Sequence, residues 1–138
     1  MPVTNIHDAP WSEGANDKGD RWKFLDISGQ RLGVRLEEMQ QGESSSRHHF
    51  HTLEEEHVLI LEGRAVLILG DEEQELAPGD HVCFAAGEAV PHHLENRSPE
   101  PLKLLVFGER NDGDVVVYPR HHTLLIKALG WKSFKYED

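Results

Sequence analysis

The chain has 138 residues, 38% of them hydrophobic, which suits one compact core and leaves no run near the roughly 20 apolar residues that span a bilayer. Twenty-five acidic residues against fourteen basic give a formal charge of −11, a field that repels nucleic-acid phosphates and anionic lipid headgroups, and no basic cluster or helix-turn-helix pattern offsets it. The single cysteine rules out an internal disulfide, and the polar opening MPVTNIHDAPWSEGAND lacks the apolar stretch of a secretory signal, so the expected location is the cytoplasm.

In chain order, residues 1–20 read as an irregular arm and 21–27 as a strand at its end. Residues 32–39 predict a strand in which Leu32, Val34 and Leu36 alternate with Gly33, Arg35 and Glu37. After a turn over 40–46 comes a strand carrying His49 and His51, then a polar connection, then an aliphatic strand over 56–61. Residues 65–69 and 74–76 form a hairpin around GDEE, and Pro78 and Gly79 set the next tight turn. Strands follow over 81–85, 92–95, 102–108 and 115–118, while the last segment, HHTLLIKALGWKSFKYED, suits either a short helix or an edge strand. Many short strands with almost no 3.6-residue periodicity predict a single all-β domain, a sandwich or barrel. Cys83, in HVCFA, reads as a small buried hydrophobe.

The chemistry concentrates in HFHTLEEEHVLILEG, residues 49–63. Alternate residues of a strand share a face, so His49 and His51 form a two-nitrogen clamp while His48 and Phe50 point the other way. Glu56 opens the following aliphatic strand and can add a carboxylate, with Glu55 as the fallback. His92, in VPHHLEN, can supply a third imidazole from a separate strand. Two or three neutral imidazoles and one carboxylate suit a borderline divalent transition metal, and such a set leaves coordination positions open, unlike a closed structural zinc site. His48, His57 and His93 have the opposite parity and read as surface or supporting residues; His121 and His122 read as a solvated loop, and His7 and His81 carry no signal.

These residues resemble the two motifs of the cupin superfamily. Gly42, His49, His51, Glu56 and Gly63 match the first, G-x5-H-x-H-x3-4-E-x6-G, with six residues after Gly42. Gly79, Gly87, His92 and Asn96 match the second, with Ala85 in place of its proline and four residues between Gly87 and His92. The lengthened turn AAGEAVPHHLEN and the ending GERNDGDVVVYP resemble small single-domain bacterial cupins. The resemblance implies a jelly-roll, or double-stranded β-helix, barrel over 32–119, flanked by the arm over 1–31, with a possible edge strand, and an extension over 120–138. It also implies a metal held by His49, His51, Glu56 and His92, with His92 preferred over His93. A homodimer is expected from the same source, with Leu59, Leu61, Trp11, Trp22 and Trp131 as candidate packing or interface residues.

The expected cofactor is one divalent transition metal (zinc, manganese, iron or nickel), and the expected partner is a small molecule rather than nucleic acid or membrane. Arg47, if its strand extends that far, stands at the pocket mouth to clamp a substrate carboxylate or phosphate through its planar fork. Two classes of function follow: a metal-dependent dioxygenase, isomerase or lyase acting on a small polar metabolite, or a non-catalytic module that binds or senses a small ligand. Metal occupancy should fall as pH drops through the histidine range near 6.5, because the imidazoles must be neutral to bind.

Overall fold

The computed structural model describes residues 3–15 and 21–138. Thirteen strands are present among them: β1 (Ser12–Ala15), β2 (Arg21–Asp26), β3 (Leu32–Met39), β4 (Phe50–His51), β5 (Glu56–Glu62), β6 (Ala65–Leu69), β7 (Glu72–Leu76), β8 (His81–Phe84), β9 (His92–Glu95), β10 (Leu102–Glu109), β11 (Val115–Tyr118), β12 (Thr123–Ile126) and β13 (Lys132–Lys135). All pairings are antiparallel, and no α-helix occurs among the described residues. Two short 3-10 turns, Pro119–His121 and Lys127–Leu129, flank β12.

One layer is a six-stranded sheet in the order β1-β2-β3-β10-β5-β8. Facing it are a four-stranded sheet, β13-β12-β11-β4, and a three-stranded one, β7-β6-β9. Isolated bridges Ser44↔Glu95 and His49↔His92 stitch these two together, so β4 runs beside β9. Val58, Ile60, Leu102 and Leu104 from the first layer pack against Ala65, Leu67, Leu76 and Leu94 from the second. That sealed end is apolar; the other end opens into the cavity described below.

The arm predicted as irregular contributes β1, which pairs with β2. The C-terminal extension is not helical: it forms the hairpin β12-β13, and Leu124 and Leu125 pair with Val117 and Val116 of β11. The packing role expected of Trp22 falls on a side chain outside the described residues. Of the other two tryptophans, Trp11 is partly buried and donates its indole N–H to the Ile6 carbonyl, while Trp131 is exposed beneath the Lys127 ammonium.

Parity on β3 carries a surprise. Cross-strand register sets Met39 opposite Leu102, Glu37 opposite Leu104 and Arg35 opposite Val106, so the polar pair points inward with the core residues. Leu36, opposite Leu105, is buried on the outer face instead. Cys83 also departs from expectation: it is exposed, because β8 turns Phe84 inward and Cys83 outward. Conversely, His48 and His93 are buried rather than superficial, their Nδ1 atoms 2.8 Å apart. Burial pushes His48 down to about 4, so it is neutral there. His121 is partly buried, and only His122 of that pair is exposed.

Two glycines allow close backbone approaches, and the second borders the site. Gly63 ends β5 with φ +80°, and a Cβ there would strike the Pro101 carbonyl oxygen. Gly108 faces Glu56 across β10-β5, where a Cβ would strike the Glu55 carbonyl. Only glycine lets those backbones approach so closely.

Candidate metal centre

His49 and His92 come together because they are directly opposed in the bridge between β4 and β9. The two residues exchange both backbone hydrogen bonds, 2.8 and 3.2 Å long, which sends both side chains to one face. Their ring centroids are 4.7 Å apart. His51, two residues on, shares that face, with its ring 5.0 Å from that of His49. Glu56 reaches in from the opposite layer at the first position of β5.

The result is a convergence of three imidazole Nε2 atoms on one carboxylate oxygen. Glu56 Oε2 lies 3.1 Å from His51 Nε2 and 3.7 Å from each of His49 Nε2 and His92 Nε2. Glu55, the fallback, points to the outer face, and His93 turns away to bond Glu95.

Neighbouring groups orient these rings. His49 donates its Nδ1–H to the Arg47 carbonyl at 2.7 Å, and His51 donates its own to Asp114 Oδ2 at 2.7 Å. Each bond fixes the tautomer that leaves the Nε2 lone pair facing Glu56, the arrangement that supports metal-ligating histidines. Asp114 is fully buried, and its other oxygen accepts the backbone N–H groups of Leu53 and Glu54 at 2.8 and 3.2 Å. Phe84 stacks on His92, 3.5 Å between centroids and 2° from parallel.

The charges suit a cation. Both ring nitrogens of His92 are buried without a hydrogen-bond partner, a state that costs about 1–3 kcal/mol per group unless something fills it. Burial lowers the pKa of His92, so the ring stays neutral and its lone pair free. Burial works against ionisation of Glu56, but the imidazoles of His49, His51 and His92 around it outweigh that and hold the carboxyl well below its usual range. For His51, burial favours the neutral ring, yet Glu56 and Asp114 together push it up to about 9. In the absence of metal, then, a proton on His51 sits where a cation would.

The site opens into a cavity of about 390 Å³ between the layers. Val58, Leu94, Leu104, Val106, Val116 and Leu125 form its apolar wall, and Tyr118 lies beside His49 with ring centroids 5.8 Å apart. Burial pushes the Tyr118 hydroxyl up, so it remains a donor. Glu37 also lines the cavity, 1% exposed, paired with the Arg35 guanidinium; burial pushes its carboxyl up although Arg35 opposes it. The cations on the cavity wall are Arg35, Arg110 and Lys127, the last paired with Glu54.

Arg47 precedes β4, whose pairing begins at Phe50; its backbone carbonyl accepts the His49 Nδ1–H, and its guanidinium charge acts on the Tyr118 hydroxyl on the cavity wall. Asp114, Glu37 and Tyr118 were not singled out from sequence. Asp114 and Tyr118 lie within GERNDGDVVVYP, so the signal for them was that ending; Glu37 had none beyond its place in an alternating strand.

The cupin domain family model matches residues 35–108, a span that holds both histidine motifs. No curated protein matches the sequence. Among solved structures, a protein of Acidithiobacillus ferrooxidans provisionally named a sugar phosphate isomerase is 28% identical over 94% of this chain and 87% of its own, with a TM-score of 0.87. A cupin-superfamily sugar phosphate isomerase of Silicibacter pomeroyi is 24% identical, covering 97% of this chain and 92% of its own, with a TM-score of 0.85. A predicted oxalate decarboxylase of Thermotoga maritima shares the fold at 17% identity, covering 79% of this chain and 99% of its own, with a TM-score of 0.69.

Proposed function

This chain belongs to the cupin domain family, and from that premise we propose that it is a divalent-metal-dependent enzyme acting on a small polar metabolite, with isomerisation of a sugar phosphate as its chemistry. In this reading His49, His51, Glu56 and His92 hold the ion. The observation that carries it is the meeting of three oriented imidazole nitrogens and one ionised carboxylate at the side of a cavity large enough for a five- or six-carbon sugar. The substrate class is supported by the likeness to the Acidithiobacillus protein along nearly the whole chain.

A metal bound there supplies Lewis acidity to a substrate oxygen. The remaining work falls to the chain. Aldose–ketose interconversion moves a proton between adjacent carbons, which needs a group with a pKa nearer neutrality than a free carboxylate. Glu37 has that property, since burial raises its carboxyl inside the cavity. Tyr118 donates its hydroxyl to a sugar oxygen, and the aliphatic wall displaces water from the carbons that react. Arg110, on the wall beside Gly33, offers a planar fork to a phosphate. The cytoplasmic location and the homodimer belong to the same proposal; the outer face of the six-stranded sheet, where Leu59 of β5 lies beside Leu105 of β10, offers an apolar patch for pairing two copies.

Purified protein should be analysed for metal and screened against pentose and hexose phosphates with manganese, iron, nickel, cobalt and zinc in turn. Turnover that disappears in a folded His51→Ala variant, and falls at least a hundredfold in Glu37→Gln with metal content retained, supports the enzyme. Tight sugar-phosphate binding with no turnover under any metal would make the domain a ligand-binding module instead.

A further inference from the structure

A second group of donors gathers on the opposite side of the same strand. Because β5 alternates, Glu56 faces the cavity while His57 faces outward, and Cys83 of β8 lies directly across from His57. Glu55, just before the strand, turns outward too: its Oε2 is 2.9 Å from His57 Nε2, and Cys83 Sγ is 3.7 Å from that same nitrogen. We propose that Glu55, His57 and Cys83 form a second metal site, for a thiophilic divalent transition ion such as zinc, on the outer face of the six-stranded sheet.

The three donor atoms all lie within 4.8 Å of one another. Tetrahedral coordination at ordinary zinc bond lengths requires edges of about 3.3–3.6 Å; the two edges that meet at His57 Nε2 are within a few tenths of an ångström of that, and rotation of the Glu55 side chain, at an exposed position, sets the third. The imidazole is held for the purpose. His57 Nδ1 is 2.8 Å from His81 Nε2, and the ring stacks on Phe107 with centroids 4.9 Å apart and planes 9° from parallel. A proton shared between His57 Nδ1 and His81 leaves Nε2 to the ion, the same division of labour that Asp114 performs for His51 inside.

The pattern of contacts distinguishes this from a thiol–imidazole nucleophile. There, the third group grips the nitrogen remote from the sulfur, so that the near nitrogen is free to take the thiol proton. Here the carboxylate and the sulfur both converge on Nε2, which suits a cation and would obstruct proton transfer. A thiolate donor selects zinc or cobalt over magnesium or calcium. Local charge adds to this, since Glu109 accepts the Glu55 backbone N–H and Glu88 lies close enough to act on the Cys83 sulfur. Three protein donors leave a fourth position for water or another ligand.

The test is a cobalt(II) titration of the 138-residue protein under a phosphine reductant, following the near-ultraviolet sulfur-to-cobalt band and the equivalents bound by dialysis. Wild type should bind two equivalents and show the thiolate band. Cys83→Ser, at an exposed position, should keep the cavity equivalent and lose the band, while His51→Ala should lose the cavity equivalent and keep it. A wild type with no thiolate band at saturating cobalt overturns the proposal. So does a band that survives Cys83→Ser or vanishes in a folded His51→Ala protein. Failure of the cavity site alone would show as a band with one equivalent bound, so the two assignments stand or fall separately.

Discussion

Asp114→Asn changes the atom that orients His51 and leaves every proposed ligand in place. Asp114 is fully buried, with one oxygen on His51 Nδ1–H and the other on the Leu53 and Glu54 amides. An amide has one accepting oxygen, so in the variant either the imidazole or the two backbone donors must face an NH2 group. A hydrogen bond to a charged partner contributes about 1.5–3 kcal/mol. Loss of an outer partner of a metal-bound histidine weakens metal binding by about 10- to 100-fold, or roughly 1.4–2.7 kcal/mol. The two scales agree, so the dissociation constant for zinc or cobalt should rise by one to two orders of magnitude. Glu54 Oε1, 3.6 Å from the same nitrogen, is the available substitute acceptor, and adding Glu54→Gln should deepen the loss. Chelator competition at fixed pH measures the constant, and circular dichroism confirms the fold. A folded Asp114→Asn protein that binds metal within about threefold of wild type would mean that His51 Nε2 is not a ligand, and the centre as described would be wrong.

The pH response should lie higher than an ordinary histidine would place it. With His51 raised to about 9, its proton competes with metal across the whole neutral range, so apparent affinity should climb by up to tenfold per pH unit until about 9 rather than levelling off above 6.5. The same shift works on stability with the opposite sign: a raised folded-state pKa stabilises the metal-free protein below 6.5, by about 3 kcal/mol at most, and that contribution fades as pH rises towards 9. Melting curves of chelator-treated protein from pH 6.5 to 9 should therefore fall, whereas metal-loaded protein should hold steady; parallel curves would contradict the assignment. Chelation at neutral pH should leave a compact fold, because Met39, Ile60, Leu102 and Leu104 are packed without help from the centre. It should remove about 3 kcal/mol if metal was present at a hundred times its dissociation constant, or roughly 10 °C of melting temperature. Gly108→Ala should push the Glu55–Glu56 backbone off β10, with stability down by about 1–3 kcal/mol and metal affinity down in the same variant, read by urea titration and chelator competition.

How much of this was legible in the chain follows the range of each interaction. Strand positions came through because alternation and turn residues are local: the boundaries of β3, β6, β9 and β11 match those read from sequence. The pairing of His49 with His51 was legible for the same reason, a two-residue period. What no period encodes is a bridge between segments 43 residues apart: VPHHLEN offered His92 as a candidate, and the match to the family's second motif is what tied it to His49 and His51. Alternation alone did not tell the faces of β3 apart, because both are covered: Leu36 packs outside, while Glu37 stays inside beside Arg35 and the cavity. Cys83 shows the converse, a residue type usually buried that the pleat turns outward.

The ending GERNDGDVVVYP gains its meaning only in three dimensions. Gly108 admits the backbone of Glu55 and Glu56, Asp114 steadies His51, and Tyr118 lies against His49, so one stretch remote in sequence from the histidines touches three of the elements that build the centre. It contains none of the proposed ligands, and for that reason ligand-type reasoning passes over it. A centre whose affinity depends on orientation needs such a stretch as much as it needs donors, because three imidazoles free to rotate would each have to be fixed at the moment of binding, at an entropic cost of up to 1 kcal/mol or so per ring.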